Sequence, residues 1–69
     1  MGEANLPSQH DMLVAIMPTV KSANFGVFYM DSHTIEVRFY RNNKREVIEF
    51  DVRDWMSDAC LARLAMELP

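Results

Sequence analysis

Few side chains in this 69-residue chain could carry chemistry, and their spacing does not assemble them. His10 stands beside Asp11, but at the start of an expected helix this is a local pair, not a proton-transfer dyad. His33 falls in an expected hairpin turn. Cys60 is the single cysteine, and its place among apolar residues suits a buried, inert thiol. His10, His33 and Cys60 lack metal-ligand spacing, so no metal or other cofactor is expected. No nucleophile-elbow pattern surrounds a serine. Gly2 and Gly26 are the only glycines, which leaves no glycine-rich phosphate loop. So small a domain also has little room for the apolar cleft that substrates occupy. The expectation is a protein with no catalytic residues, hence not an enzyme.

Charge offers two further constellations. Arg38, Arg41, Lys44 and Arg45 cluster around Tyr40 and the Asn42–Asn43 pair. A hairpin tip of this kind could grip phosphates, with Tyr40 stacking on a base, or hold an acidic protein surface. Glu46 and Glu49 stand where they can pair with Arg41 and Arg38 and nearly cancel the charge, which favours a solvated loop or a protein contact over nucleic acid. The net charge of −3 points the same way. The second constellation is acidic: Glu46, Glu49, Asp51, Asp54 and Asp58, interrupted by Arg53. It could imitate DNA phosphates on a basic surface, but helix capping accounts for Asp51 and Asp54 more simply.

These residues must be positioned by a β-meander over 24–52. Three apolar-alternating runs, rich in aromatic and β-branched residues, are separated by turn-forming clusters. For the second hairpin, a four-residue loop at Asn42–Arg45 pairs Phe39 with Ile48, Val37 with Phe50, Ile35 with Val52 and Arg38 with Glu49. A two-residue loop at Asn42–Asn43 instead sets Phe39 against Glu46 and Glu36 against Glu49. Cross-strand pairs differ by about 0.2–1 kcal/mol each, so the four-residue loop is preferred. For the first hairpin, a two-residue loop at Ser32–His33 pairs Met30 with Ile35 and Phe28 with Val37. This register sends Phe28, Met30, Ile35, Val37, Phe39, Ile48, Phe50 and Val52 to the core. The other face carries Phe25, Val27, Tyr29, Tyr40 and Val47 among Glu36, Arg38, Glu49 and Asp51, which is too apolar for an ordinary wet surface. Partner binding is therefore expected at Phe25, Val27, Tyr29, Arg38, Tyr40, Arg41, Lys44 and Arg45.

Helices flank the meander. Residues 1–7 read as a loose arm. Ser8 begins a capping-box-like start, and a helix is expected over 8–18, with Met12, Leu13, Ile16, Met17 and then Val20 towards the sheet and Pro18 at its end. A buried strand over 12–17 is the competing reading, since a short apolar run does not distinguish the two. A second helix is expected over 54–68, with Asp51, Asp54 and Ser57 as possible caps. Its apolar residues form two stripes: Trp55, Ala59, Ala62 and Met66, and Cys60, Leu61, Leu64 and Leu68. One must cover the sheet and the other must meet something else. The chain holds six methionines, a residue over-used at pliable binding surfaces; Met56 and Met66 are the interface candidates. The fold class is thus α+β, in the order α-β-β-β-α, as one domain over 1–69.

A domain of this length buries only about 60% of its unfolded surface. With no disulfide or metal to staple it, association of two copies is the remaining device. A homodimer is expected, through Trp55, Met56, Ala59, Ala62 and Met66. The lone cysteine suits a reducing, cytoplasmic setting. No signal-peptide pattern is seen, and the apolar run 12–17 is too short to span a bilayer, so no membrane association is expected.

A small acidic chain that begins at Met1, carries a spare apolar face and shows no catalytic signature resembles the small phage-encoded proteins that disable bacterial host machinery. That group includes anti-CRISPR proteins and anti-activators. The resemblance is one of size and style and rests on no motif. What it implies is a homodimer in the host cytoplasm that binds a LuxR-type quorum-sensing activator and blocks its access to DNA. A pilus-assembly ATPase is a further target it implies, and an anti-CRISPR-type inhibitor is an alternative. The rival from another class is a small nucleic-acid-binding regulator that uses the basic hairpin.

Overall fold

The structure is a computed structural model and describes residues 6–21 and 24–69. Residues 1–5 of the expected arm, and Ser22 and Ala23 before the meander, lie outside the described residues. Helix α1 spans Gln9–Ile16, strands β1, β2 and β3 span Phe25–Tyr29, Thr34–Arg41 and Lys44–Asp51, and helix α2 spans Asp58–Glu67. The sheet is antiparallel in the order β1-β2-β3. The α-β-β-β-α class expected from the sequence is the one observed.

Local chemistry explains the helix ends. The Ser8 hydroxyl accepts the Asp11 amide at 3.0 Å and starts α1. Met12, Ile16 and Val20 are buried, whereas Met17, expected to face the sheet, is exposed at the helix end. The residues 12–17 are helical, not a strand, as far as Ile16. The expected second helix is divided. Asp51 accepts the Arg53 amide at 2.8 Å and caps a single 3-10 turn, Val52–Asp54. Met56 then adopts a left-handed backbone with φ 70°. Ser57 accepts the Cys60 amide at 3.1 Å and starts α2. Two of the three possible caps therefore act, each on its own segment, and Met56 breaks the helix between them.

Turn geometry sets the sheet register and overturns both expected hairpins. Asn42 and Asn43 have φ of 53° and 65°, and Arg41 pairs with Lys44. This is the two-residue primed turn, whose twist matches the strands and which asparagine tolerates. Phe39 then faces Glu46 and Glu36 faces Glu49. Glu36 is relieved by Arg38 at 2.9 Å and Glu46 by Arg41 at 3.7 Å, so the penalties of that register are met by neighbours along β2. In the first hairpin the Asp31 carboxylate accepts the His33 amide at 2.7 Å, and the Met30 amide donates to the Thr34 carbonyl. The loop therefore has one residue more than expected. Tyr29 faces Ile35, Val27 faces Val37 and Phe25 faces Phe39.

One extra loop residue turns β1 over, because side chains alternate faces. Val27 lies in the core, with Phe25 and Tyr29 packed against it. Phe28 and Met30, expected in the core, take the opposite side, and Met30 is exposed. The shift in β2–β3 is by two residues and leaves its faces unchanged, so Ile35, Val37, Phe39, Ile48 and Phe50 are buried as expected. Val52, expected beside them, is half-buried in the 3-10 turn. Cys60 and Leu64 of α2, with Leu68 just past its end, complete the core. Pro7 is tied to β1, because the Tyr29 hydroxyl donates to the Pro7 carbonyl at 2.6 Å.

Candidate functional site

Among the described residues, the sheet has one face under the core and one face open. The open face is laid out by the register: Gly26, Arg38 and Val47 form one row, Phe28, Glu36 and Glu49 the next, and Tyr40 stands beside Arg45. Gly26 matters here because it has no side chain. A Cβ at that position would lie 2.6 Å from Phe28 Cε1, so the phenyl ring rests over the bare backbone. The Arg38 guanidinium covers the ring, 4.2 Å from its centroid, and donates to Glu36 at 3.0 Å. Glu36 is only 8% exposed, but its charge is paired. Next to this stacked trio lies a shallow concavity of about 650 Å³, bordered by Gly26, Phe28, Arg38, Tyr40 and Arg45. Tyr40 is 55% exposed and Val47 45% exposed.

The structure sorts the expected partner-binding residues into three groups. Arg38, Tyr40 and Arg45 meet at this concavity. Val27 and Tyr29 do not belong to the open face, because the reversed β1 aims them at the core, and Phe25 packs against the core while also bordering the concavity. Arg41 and Lys44 stand at the hairpin end. Arg41 is engaged: it donates to the Glu67 carbonyl at the end of α2, lies 3.5 Å from the Glu67 carboxylate and stacks 5.4 Å from the Phe39 centroid. Lys44 is exposed. Phe28 and Gly26 are the site residues that sequence reasoning missed. The signal that could have found them is Asp31, whose side chain lengthens the β1–β2 loop it opens.

The expected dimer residues are also redistributed. Trp55 is off the helix and half-buried, its ring 5.9 Å from that of Phe50 in an edge-to-face contact. Met56 occupies the left-handed turn. Ala59, Ala62 and Met66 are exposed on α2, and Met66 is 83% exposed. The stripe of Cys60, Leu61, Leu64 and Leu68 is the one that faces the core.

Comparison with protein-family models, curated proteins and solved structures finds no match. The arrangement must therefore be read from its own chemistry. His10 is exposed on the first turn of α1 and His33 is exposed in the first hairpin loop, on separate elements. Burial pushes the Cys60 thiol above its ordinary pKa, which keeps it protonated and unreactive. The His33 amide lowers the Asp31 carboxyl pKa, and the Arg53 side chain lowers that of Asp51. Both shifts belong to turn and cap hydrogen bonds at the surface. Among the described residues no helix is long and apolar enough to cross a membrane.

Proposed function

We propose that this chain is a non-enzymatic protein-binding inhibitor that docks through the open face of its sheet. The observation that supports this reading is the concavity beside Tyr40, where an aromatic ring, a stacked Phe28–Arg38 pair and the exposed Arg45 stand together, with the aliphatic Val47 opposite Arg38 on the neighbouring strand. Aromatic and arginine side chains around a small pocket are the usual makings of a protein-binding hot spot. The target class we assign is a bacterial transcription regulator of the LuxR type, inhibited by an anti-activator of phage origin acting in the host cytoplasm. That assignment follows the likeness in size and style to such inhibitors. A pilus-assembly ATPase is a second target of the same kind.

The basic hairpin supports a nucleic-acid reading less well. Arg38 is spent on Glu36, and Arg41 on Glu46 and Glu67. The deciding experiment adds the purified chain to a purified LuxR-type activator on its DNA site and follows the mobility of the DNA. The expected result is release of the DNA by the wild-type chain and at least tenfold weaker release by Tyr40→Ala, with unchanged thermal unfolding. If the activator stays on its site and no complex with it is detected, the target assignment is wrong. A shift of DNA by the chain alone, steeply weakened by salt, would replace the reading with the nucleic-acid one.

A further inference from the structure

The free edge of β3 is the second unpartnered surface of this fold. Among the described residues β3 pairs with β2 alone, and it is an eight-residue edge strand without proline or glycine. Its hydrogen-bonding alternation is fixed by the Val52 amide, which donates to the His33 carbonyl. In the observed register the even-numbered residues of β3 therefore bond to β2. Arg45, Val47 and Glu49 present their N–H and C=O groups outwards. No other backbone group among the described residues bonds them. Long exposed edges of this kind are usually blunted, because they template further pairing.

We propose that a second copy of this chain pairs with β3 edge to edge, antiparallel, about a two-fold axis at Val47. The sequence of the edge supplies the argument. With the axis at Val47, Arg45 faces the second copy's Glu49, Val47 faces the second copy's Val47, and Glu49 faces the second copy's Arg45. All three side chains lie on the open face, and all three are exposed in the single chain. The outward amides are then the mutually bonded pairs that an antiparallel ladder requires. Other registers that keep the alternation are worse. An axis at Arg45 opposes two arginines, and one at Glu49 opposes two glutamates. An axis at Glu46 faces each Arg45 with a valine. An axis at Ile48 faces each Val47 with a glutamate and draws on Asp51, which already pairs with Arg53. The pairing is isologous and closes on itself. It places the two open faces side by side on one continuous sheet. It also differs from the expected dimer of Trp55 and the α2 stripe.

The test is the solution mass of the intact chain by light scattering at ten to a few hundred micromolar, roughly the range in which modest interfaces assemble. The wild type is expected to be a dimer. Arg45→Glu and Glu49→Arg each set like charges opposite one another twice per dimer, and each should raise the dimer Kd about 10–100-fold. Mixed in equal amounts, the two variants complement each other and should recover dimers, as should the Arg45→Glu/Glu49→Arg double variant alone. Val47→Pro removes an outward N–H and no β2–β3 bond, and should give a folded monomer by circular dichroism. A wild-type monomer throughout that range overturns the proposal. So does a dimer that the charge variants leave intact while Ala62→Glu or Met66→Glu abolishes it, since the α2 stripe would then be the interface.

Discussion

Gly26→Ala separates the shape of the open face from the stability of the fold. The alanine Cβ would stand 2.6 Å from Phe28 Cε1 and 2.9 Å from Cζ, where ordinary contact begins at 3.4 Å. Both atoms are the far end of a side chain that can rotate, so the ring moves and the backbone stays. Moving it breaks the stack with Arg38, worth about 0.5–1 kcal/mol at an exposed site. Replacing a strand glycine returns about 0.5–1 kcal/mol by restricting the unfolded chain. Gly26 has no positive φ, so alanine fits its backbone. The two terms offset, and the net change in unfolding free energy should stay within about 1 kcal/mol by urea titration. The displaced ring has its own signal. Arg38 side-chain protons, shifted upfield over Phe28 in the wild type, should return towards ordinary values, and binding at the concavity should weaken. A loss of more than about 3 kcal/mol would refute the reasoning by showing a ring locked in place. Unaltered Arg38 shifts would refute the stacked arrangement itself.

Three further outcomes follow from the same geometry. Met56→Gly should leave stability within about 1 kcal/mol in thermal unfolding, because relief of a φ of 70°, which costs an ordinary residue about 1–2 kcal/mol, is offset by the packing lost from a side chain only 38% exposed. Arg41→Met should lower stability by about 1 kcal/mol and speed amide exchange in the last turn of α2. The lost bond to the Glu67 carbonyl is charge-assisted, but the side chain is 39% exposed and solvent screens much of it. The pH profile should fall at both ends. The carboxyls of Asp31 and Asp51 are held below their ordinary pKa, so their contribution is present above that value and is lost as the pH drops through the folded one. The Cys60 thiol is held above its ordinary value, so stability declines as the pH rises past about 8.5, and Cys60→Ala should flatten that alkaline limb.

The elements were legible because their signals are local. Ser8 and Ser57 cap the helices they precede, and the alternation of Ile35, Val37, Phe39, Ile48 and Phe50 marks the core side of two strands. The register was not, because it depends on which of several small energies dominates. Counting side-chain pairs favoured a four-residue loop, while the backbone preference of two consecutive asparagines for positive φ outweighed those pairs. In the first hairpin a single Asx bond from Asp31 added one loop residue and exchanged the two faces of β1. The consequence for the site is direct. Tyr40, Arg38 and Arg45 fall on the expected face because β2 and β3 slide by an even number, and Phe25, Val27 and Tyr29 on the opposite one because β1 shifts by an odd number.

That odd shift also changes what the open face offers a partner. Had Phe25, Val27 and Tyr29 stood there, the face would have been a broad apolar sheet in need of complete cover. With Gly26 and Phe28 there instead, one corner covers itself: Arg38 lies over Phe28, and Glu36 is nearly buried beneath it with its charge satisfied. A partner gains little by displacing that trio, since it would have to match a stack and an ion pair already made. The unspent area lies beside it, on Tyr40 and Val47, with Arg45 at the margin. Burial of these two side chains should therefore carry most of the binding energy. Such a contact is narrow for one chain. Edge pairing at Val47 would join two of them across the axis, so the pairing of β3 would set the size of the surface that the open face presents.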